Sequence, residues 1–89
     1  MVEQPLQLSN RLGLHARAAA KLATTAQKYQ AEIELHYLNR AVNAKSIMAI
    51  MMLGATFGSD IVLKALGEDE QQAVEALSEL IKRRFDEPE

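Results

Sequence analysis

The six residues Glu32-Ile33-Glu34-Leu35-His36-Tyr37 alternate between polar and apolar without exception. Successive side chains of a strand point to opposite faces, so this stretch reads as a half-covered strand with Ile33, Leu35 and Tyr37 inward. Glu32, Glu34 and His36 then face away from the core, and His36 reads as a solvated strand residue rather than a ligand. Leu38-Asn39-Arg40 follows as a tight turn, with Asn39 suited to the left-handed conformation. Arg40 to Ala44 returns as a short strand with Val42 facing in. The middle of the chain is therefore a hairpin with one apolar face, and that face requires a second layer.

The rest of the sequence supplies it. Val2 to Leu8 reads as a strand with Leu6 and Leu8 on one face, and Pro5, which has no N–H, places it at a sheet edge. Ser9 to Leu14 is a loop. From Ala16 to about Lys28 the period changes, and Ala19, Leu22, Ala23 and Ala26 form a helical stripe while Lys21 and Lys28 face water. Ile47 to Leu53 is a short helix, with Ser46 as its N-cap and Gly54 as its stop. Ala55 to Ser59 is a loop. Asp60 to Leu66 is a strand with Ile61, Leu63 and Ala65 on one face, closed by Gly67. A last helix starts at Glu68 or Asp69, with Ala73, Val74, Leu77, Leu80 and Ile81 as its core stripe. Asp86 to Glu89 reads as a frayed tail. The order is βαββαβα, which predicts an α+β open-faced sandwich: a four-stranded antiparallel sheet covered on one face by three helices. Residues 1–89 form one domain in this reading.

Several function classes are disfavoured by composition. The absence of cysteine removes disulfides and thiolate metal sites, and fits a reducing, cytoplasmic setting. The two histidines, His15 and His36, lack the spacing of a zinc motif, so no metal and no cofactor are expected. A net charge of −2 argues against nucleic acid as a partner. No signal peptide or membrane span is evident.

The chemistry concentrates in Arg11-Leu12-Gly13-Leu14-His15-Ala16-Arg17-Ala18-Ala19-Ala20-Lys21. Gly13 permits a sharp turn or a close backbone approach. His15 falls where the sequence turns into strong helix formers, hence at or just before the first helical turn. The opening amides there, Ala16 and Ala18 among them, lack internal partners and carry the positive end of the helix dipole. That is an anion site, and Arg17 adds a fork suited to phosphate oxygens. An imidazole is mostly neutral and nucleophilic at pH 7. A nucleophilic ring beside a pocket for phosphoryl oxygens is the result.

The short helix carries a second signal. Ile47, Met48, Ile50, Met51, Met52 and Leu53 cannot all face one core. With Ile50 and Leu53 inward, Met48, Met51 and Met52 make another face and Ile47 lies at its boundary. An exposed patch of adaptable methionines reads as a docking surface.

Leu12-Gly13-Leu14-His15-Ala16-Arg17 and Val42-Asn43-Ala44-Lys45-Ser46-Ile47-Met48 resemble the two signature stretches of the HPr family, the histidine-containing phosphocarriers of the bacterial phosphoenolpyruvate:sugar phosphotransferase system. The resemblance runs from about Leu6 to Arg84. It implies an open-faced βαββαβα sandwich whose first strand lies at an edge beside the fourth. It implies that His15 receives a phosphoryl group from Enzyme I, carries it on Nδ1 and passes it to an Enzyme IIA domain, without independent turnover. It matches Arg17 to the arginine that contacts phosphoryl oxygens, and Ser46 to the serine modified by HPr kinase/phosphorylase. It places Ile47, Met48 and Met51 on the docking surface for both partners, and Met52 shares their face. A monomer is expected. Ala18 stands where the family motif has proline, and Ala49 where glycine is often seen. Two other readings are a regulatory or nitrogen-branch paralogue that acts mainly by docking, and a ferredoxin-like RNA-binding module, which would need aromatic residues on the open sheet face.

Overall fold

The computed structural model describes residues 1–88. Its elements are β1 (Val2–Gln7), α1 (Ala16–Ala26), β2 (Glu32–Tyr37), β3 (Arg40–Asn43), α2 (Ile47–Leu53), β4 (Asp60–Leu66) and α3 (Glu70–Lys82), followed by a single turn at Arg84–Asp86. The strands form one antiparallel sheet in the order β1-β4-β2-β3, so β1 lies at an edge beside β4. The alternation in β2 is realised in three dimensions. Ile33 and Leu35 are buried, Glu32 and Glu34 are exposed, and Tyr37 packs against the margin of the core. His36 Nε2 donates to the Oε1 of its strand neighbour Glu34 at 2.9 Å, as expected of a residue on the open face.

The second layer is built from helical stripes. Ala19, Leu22, Ala23 and Ala26 of α1 are fully buried, and so is Ala18. From α3, Ala73, Val74, Leu77, Leu80 and Ile81 join Leu6, Leu8, Ile61, Leu63 and Ala65 of the sheet layer. Ile50 and Leu53 anchor α2 to the same core. Arg40 fastens its end, donating to the Met52 carbonyl at 3.2 Å and to the Leu53 carbonyl. Asp69 receives the Gln30 and Ala31 amides, both at 2.8 Å, and joins the start of α3 to the end of the α1–β2 loop. The Gln30 hydrogen bond is the largest influence on the Asp69 carboxyl and holds it below its ordinary range.

Three sequence expectations are corrected. The left-handed residue of the hairpin turn is Leu38, with φ +56°, and not Asn39. The Tyr37–Arg40 pairing leaves a two-residue loop, and a tight loop that matches strand twist requires positive φ at its first position whatever residue stands there. Lys21 does not simply face water, because its Nζ donates to the Phe85 carbonyl at 2.7 Å. The C-terminal residues are not frayed. Phe85 is fully buried and Glu87 is seated on α1's first turn, while Glu89 lies outside the described residues.

Gly13 has φ +65°, and a Cβ there would lie 2.7 Å from the Thr56 Cα and 2.8 Å from the Ala55 oxygen. Both neighbours are backbone and cannot swing aside. Gly13→Ala is therefore expected to destabilise the fold by about 1–3 kcal/mol, read from urea unfolding, with the loss felt first in exchange of the Leu14 amide.

Candidate phosphoryl-transfer site

The loop before α1 is shaped by its backbone. Gly13 N–H donates to the Asn10 carbonyl at 3.2 Å, closing a turn, and Leu14 N–H donates to Ala55 O at 3.1 Å, pinning that turn to the segment after α2. Leu14 is buried and the next residue, His15, takes the N-cap position of α1 with extended dihedrals, φ −74° and ψ 178°. Its carbonyl accepts from Ala19 N–H at 2.8 Å, the first hydrogen bond of the helix. Its side chain makes no capping bond and is thus available for other work. The amides of Ala16, Arg17 and Ala18 belong to the opening turn, where a helix has no carbonyl to offer them.

His15, Arg17 and Ala16 line one open cavity of about 880 Å³ with Arg11, Leu12 and Glu87. Sequence reasoning placed the imidazole, the guanidinium and the helix terminus together, and the structure does bring them to one place. The ring is partly exposed, with 27% of its side-chain surface accessible. Ala18, in the proline position of the motif, is completely buried, so a small side chain fits the packing there.

Glu87 is the component the sequence did not reveal. Its Oε2 lies 2.5 Å from His15 Nε2, and its Oε1 accepts from Asn10 Nδ2 at 3.2 Å. Burial alone would push this carboxyl up; the hydrogen bonds from His15 and Asn10, aided by the charges of His15 and Arg17, outweigh it and hold the group below the ordinary carboxylate range. Asn10 is fully buried and donates a second time, to the Gly13 carbonyl at 2.7 Å. Both neighbours are acceptors, which fixes the amide orientation, and its Oδ1 is left without a partner among the described residues.

The tail reaches this position through an unusual turn. Arg84, Phe85 and Asp86 have φ of +58°, +57° and +61°. Each left-handed residue costs about 1–2 kcal/mol. Burying Phe85 returns about 1.5–3 kcal/mol and the charged Lys21 bond about as much again, so the two sides nearly cancel. The contacts of Glu87 then decide whether the tail stays seated. A signal for this was present in the sequence: Phe85 continues the α3 stripe at four residues beyond Ile81, and a large apolar side chain is seldom left in a solvated tail.

The second predicted constellation is also in place. Ser46 is the N-cap of α2, and its Oγ accepts from Ala49 N–H at 3.2 Å. Ile47, Met48, Met51 and Met52 are exposed, with 70% and 72% accessibility at Met48 and Met52. Phe57, at 64%, adds to the exposed apolar surface after α2 and was not anticipated. The open face of the sheet shows no phenylalanine, tyrosine or tryptophan among the described positions, which disfavours an RNA-binding module. Among the described residues there is no cluster of histidines and carboxylates able to hold a metal, and no helix is long and apolar enough to cross a membrane.

Comparison with known proteins agrees with this geometry. A family profile described as the PTS HPr component phosphorylation site matches residues 2–83. The chain belongs to the HPr family. It is 51% identical over 87 residues to the phosphocarrier protein HPr of Xylella fastidiosa strain Temecula1, covering 98% of each chain. It is 45% identical over 89 residues to that of Cupriavidus necator, covering all of both. Its fold superimposes on the crystal structure of HPr-C-His from Thermoanaerobacter tengcongensis with a TM-score of 0.96, at 44% identity and full coverage of both chains. HPr proteins are phosphocarriers of the phosphotransferase system, and this is the function of the chain. A further structure from that organism, described as an HPr dimer, matches at 45% identity with a TM-score of 0.79, covering 98% of this chain and all of the other.

The folded-state carboxyl of Glu87 lies below its unfolded value of about 4.5, so its contribution to stability is complete above that pH and is lost as the pH falls through the lower, folded value. Acidification below pH 4.5 is expected to unseat the tail before the domain unfolds. Hydrogen exchange at the Asp86 and Glu87 amides, which are bonded to the Arg83 and Arg84 carbonyls, reports it. Protection that persists unchanged to the global acid transition would contradict this.

Proposed function

We propose that His15 is the residue that carries the phosphoryl group, taking it from Enzyme I and delivering it to an Enzyme IIA domain. The observation that supports this most directly is the placement of His15 at the N-cap of α1, in one cavity with Arg17. The arginine and the Ala16 and Ala18 amides hold the phosphoryl oxygens by charge and hydrogen bonding. Transfer of a phosphoryl group needs little beyond positioning and electrostatics, both of which this site offers. The chain acts as a shuttle and not as an enzyme that turns over alone. It works as a cytoplasmic monomer.

The exposed side chains of Ile47, Met48, Met51 and Met52 form the docking surface for both partners. α2 leads directly into Ala55 and Thr56, the segment that touches Gly13, so the patch and the His15 loop are mechanically joined. Ser46 is the target of HPr kinase/phosphorylase. A phosphate there adds almost two negative charges at the opposite end of α2, about 10 Å from the His15 loop by helix length, and repels an acidic partner surface.

Incubation with Enzyme I, phosphoenolpyruvate and magnesium is expected to add one acid-labile phosphoryl group per chain, absent in His15→Ala. Arg17→Ala is expected to slow uptake by roughly 10²- to 10³-fold, as loss of one charge-stabilising donor does elsewhere. Uptake by the His15→Ala protein would disprove the assignment.

Ser46→Asp is expected to keep the helix cap, and so the melting temperature within a few degrees, while slowing transfer from Enzyme I. Transfer kinetics equal to the parent's would remove the regulatory role.

A further inference from the structure

The carboxylate of Glu87 occupies one nitrogen of the imidazole and leaves the other to react. We propose that Glu87 is a positioning residue for the transfer reaction: it holds His15 as the Nε2–H tautomer and thereby selects Nδ1 as the nitrogen that takes the phosphoryl group. This rests on the assignment of His15 as the carrier.

The argument is one of donors and acceptors. An ionised carboxylate can only accept, so an imidazole nitrogen 2.5 Å from Glu87 Oε2 must bear a proton. A neutral ring has one N–H, and with it on Nε2 the lone pair lies on Nδ1. The second carboxylate oxygen is held by Asn10 Nδ2, and Asn10 is itself locked to the Gly13 carbonyl. Glu87 is thus oriented by a fully buried amide that also shapes the loop presenting His15. The left-handed turn and the Lys21 bond to Phe85 O bring residue 87 back across α1 to reach the ring. A carboxylate–imidazole pair of this kind orients the ring and steadies its cation in other reactions.

The balance of the step is simple. Nδ1 donates its pair to phosphorus as the bond from phosphorus to the donor breaks, and that bond's electrons leave with the donor. The ring becomes cationic, still protonated on Nε2, with Glu87 as its counter-ion. In onward transfer the ring departs from phosphorus with the electrons of the N–P bond and is again neutral, with the proton still on Nε2. No proton has to move in either direction.

The test compares the parent with Glu87→Ala, both labelled with ¹⁵N in the histidine ring. In long-range ¹H–¹⁵N spectra of the neutral ring, the parent is expected to show the Nε2-protonated pattern and the variant a mixture of tautomers. Uptake from phosphorylated Enzyme I is expected to slow by about 10- to 100-fold. Glu87→Gln, which preserves the shape and loses the charge, is expected to fall between the two. An unchanged tautomer in Glu87→Ala overturns the inference, as does a changed tautomer with equal or faster uptake, which would make the tail a cover. Those results leave the assignment of His15 intact if the parent is phosphorylated and His15→Ala is not. A parent that takes up nothing overturns both.

Discussion

The backbone of Gly13 lies against that of Ala55 and Thr56 with no room for a side chain between them. Leu14 N–H reaches across this contact to Ala55 O, and the same loop returns to β1 through Gly58 N–H to Leu8 O and Leu8 N–H to Ser59 O. Three stretches distant in sequence are thereby clamped: the end of the first strand, the turn before α1, and the link from α2 to β4. The orientation of His15 follows, because it is the second residue after the clamp and the N-cap of the helix. The methionine face of α2 is tied to the same point from the other side. Removing the close approach would loosen the His15 loop and the exposed methionine face together, so the missing Cβ bears on both.

The fold was largely legible because its signals are local and agree with one another. β2 alternates, α1 and α3 carry stripes at helical spacing, and Ser46 and Gly54 bracket α2 where capping chemistry requires. The placement of His15 and Arg17 together at the start of α1 was legible for the same reason, because it depends on residues within a few positions of each other. The two-residue hairpin loop was misread at the level of one dihedral, since loop length and strand twist outrank the preference of Asn39 for the left-handed region.

Glu87 could not be read in this way. It lies 72 residues from His15, and the contact depends on three successive positive φ values, two of them at Arg84 and Phe85, which do not favour that region. The tail is held by tertiary contacts: the burial of Phe85, the Lys21 bond to its carbonyl, and the Asn10 bond to Glu87. Each of those partners had a plainer reading on its own, with Lys21 as a solvated charge on a helix. Asn10 had no reading beyond a loop residue, although in the fold it is fully buried and its amide donates to both the Gly13 carbonyl and Glu87. Sequence patterns report which face of an element is covered. They do not report which polar atoms meet across the covered space.

A carrier must stabilise its cargo enough to accept it and little enough to surrender it. A deep pocket with several cations would bind the phosphorylated state tightly and slow the second transfer, since binding that is stronger in the loaded resting state raises the barrier out of it. Here the cations are few and solvated: Arg17 is exposed and the helix terminus faces an open cavity, so both are screened by water and salt. Glu87 acts in the opposite sense on the two partners of the new bond. Its negative charge favours the cationic ring and opposes the phosphoryl oxygens. Favouring the cationic ring stabilises the loaded state and assists uptake, while repelling the oxygens prevents the arginine from holding them too firmly and assists release. With one carboxylate on one ring nitrogen and one arginine in the same cavity, opposing influences act on the loaded state, and docking at the proposed α2 surface would then decide the direction of flow.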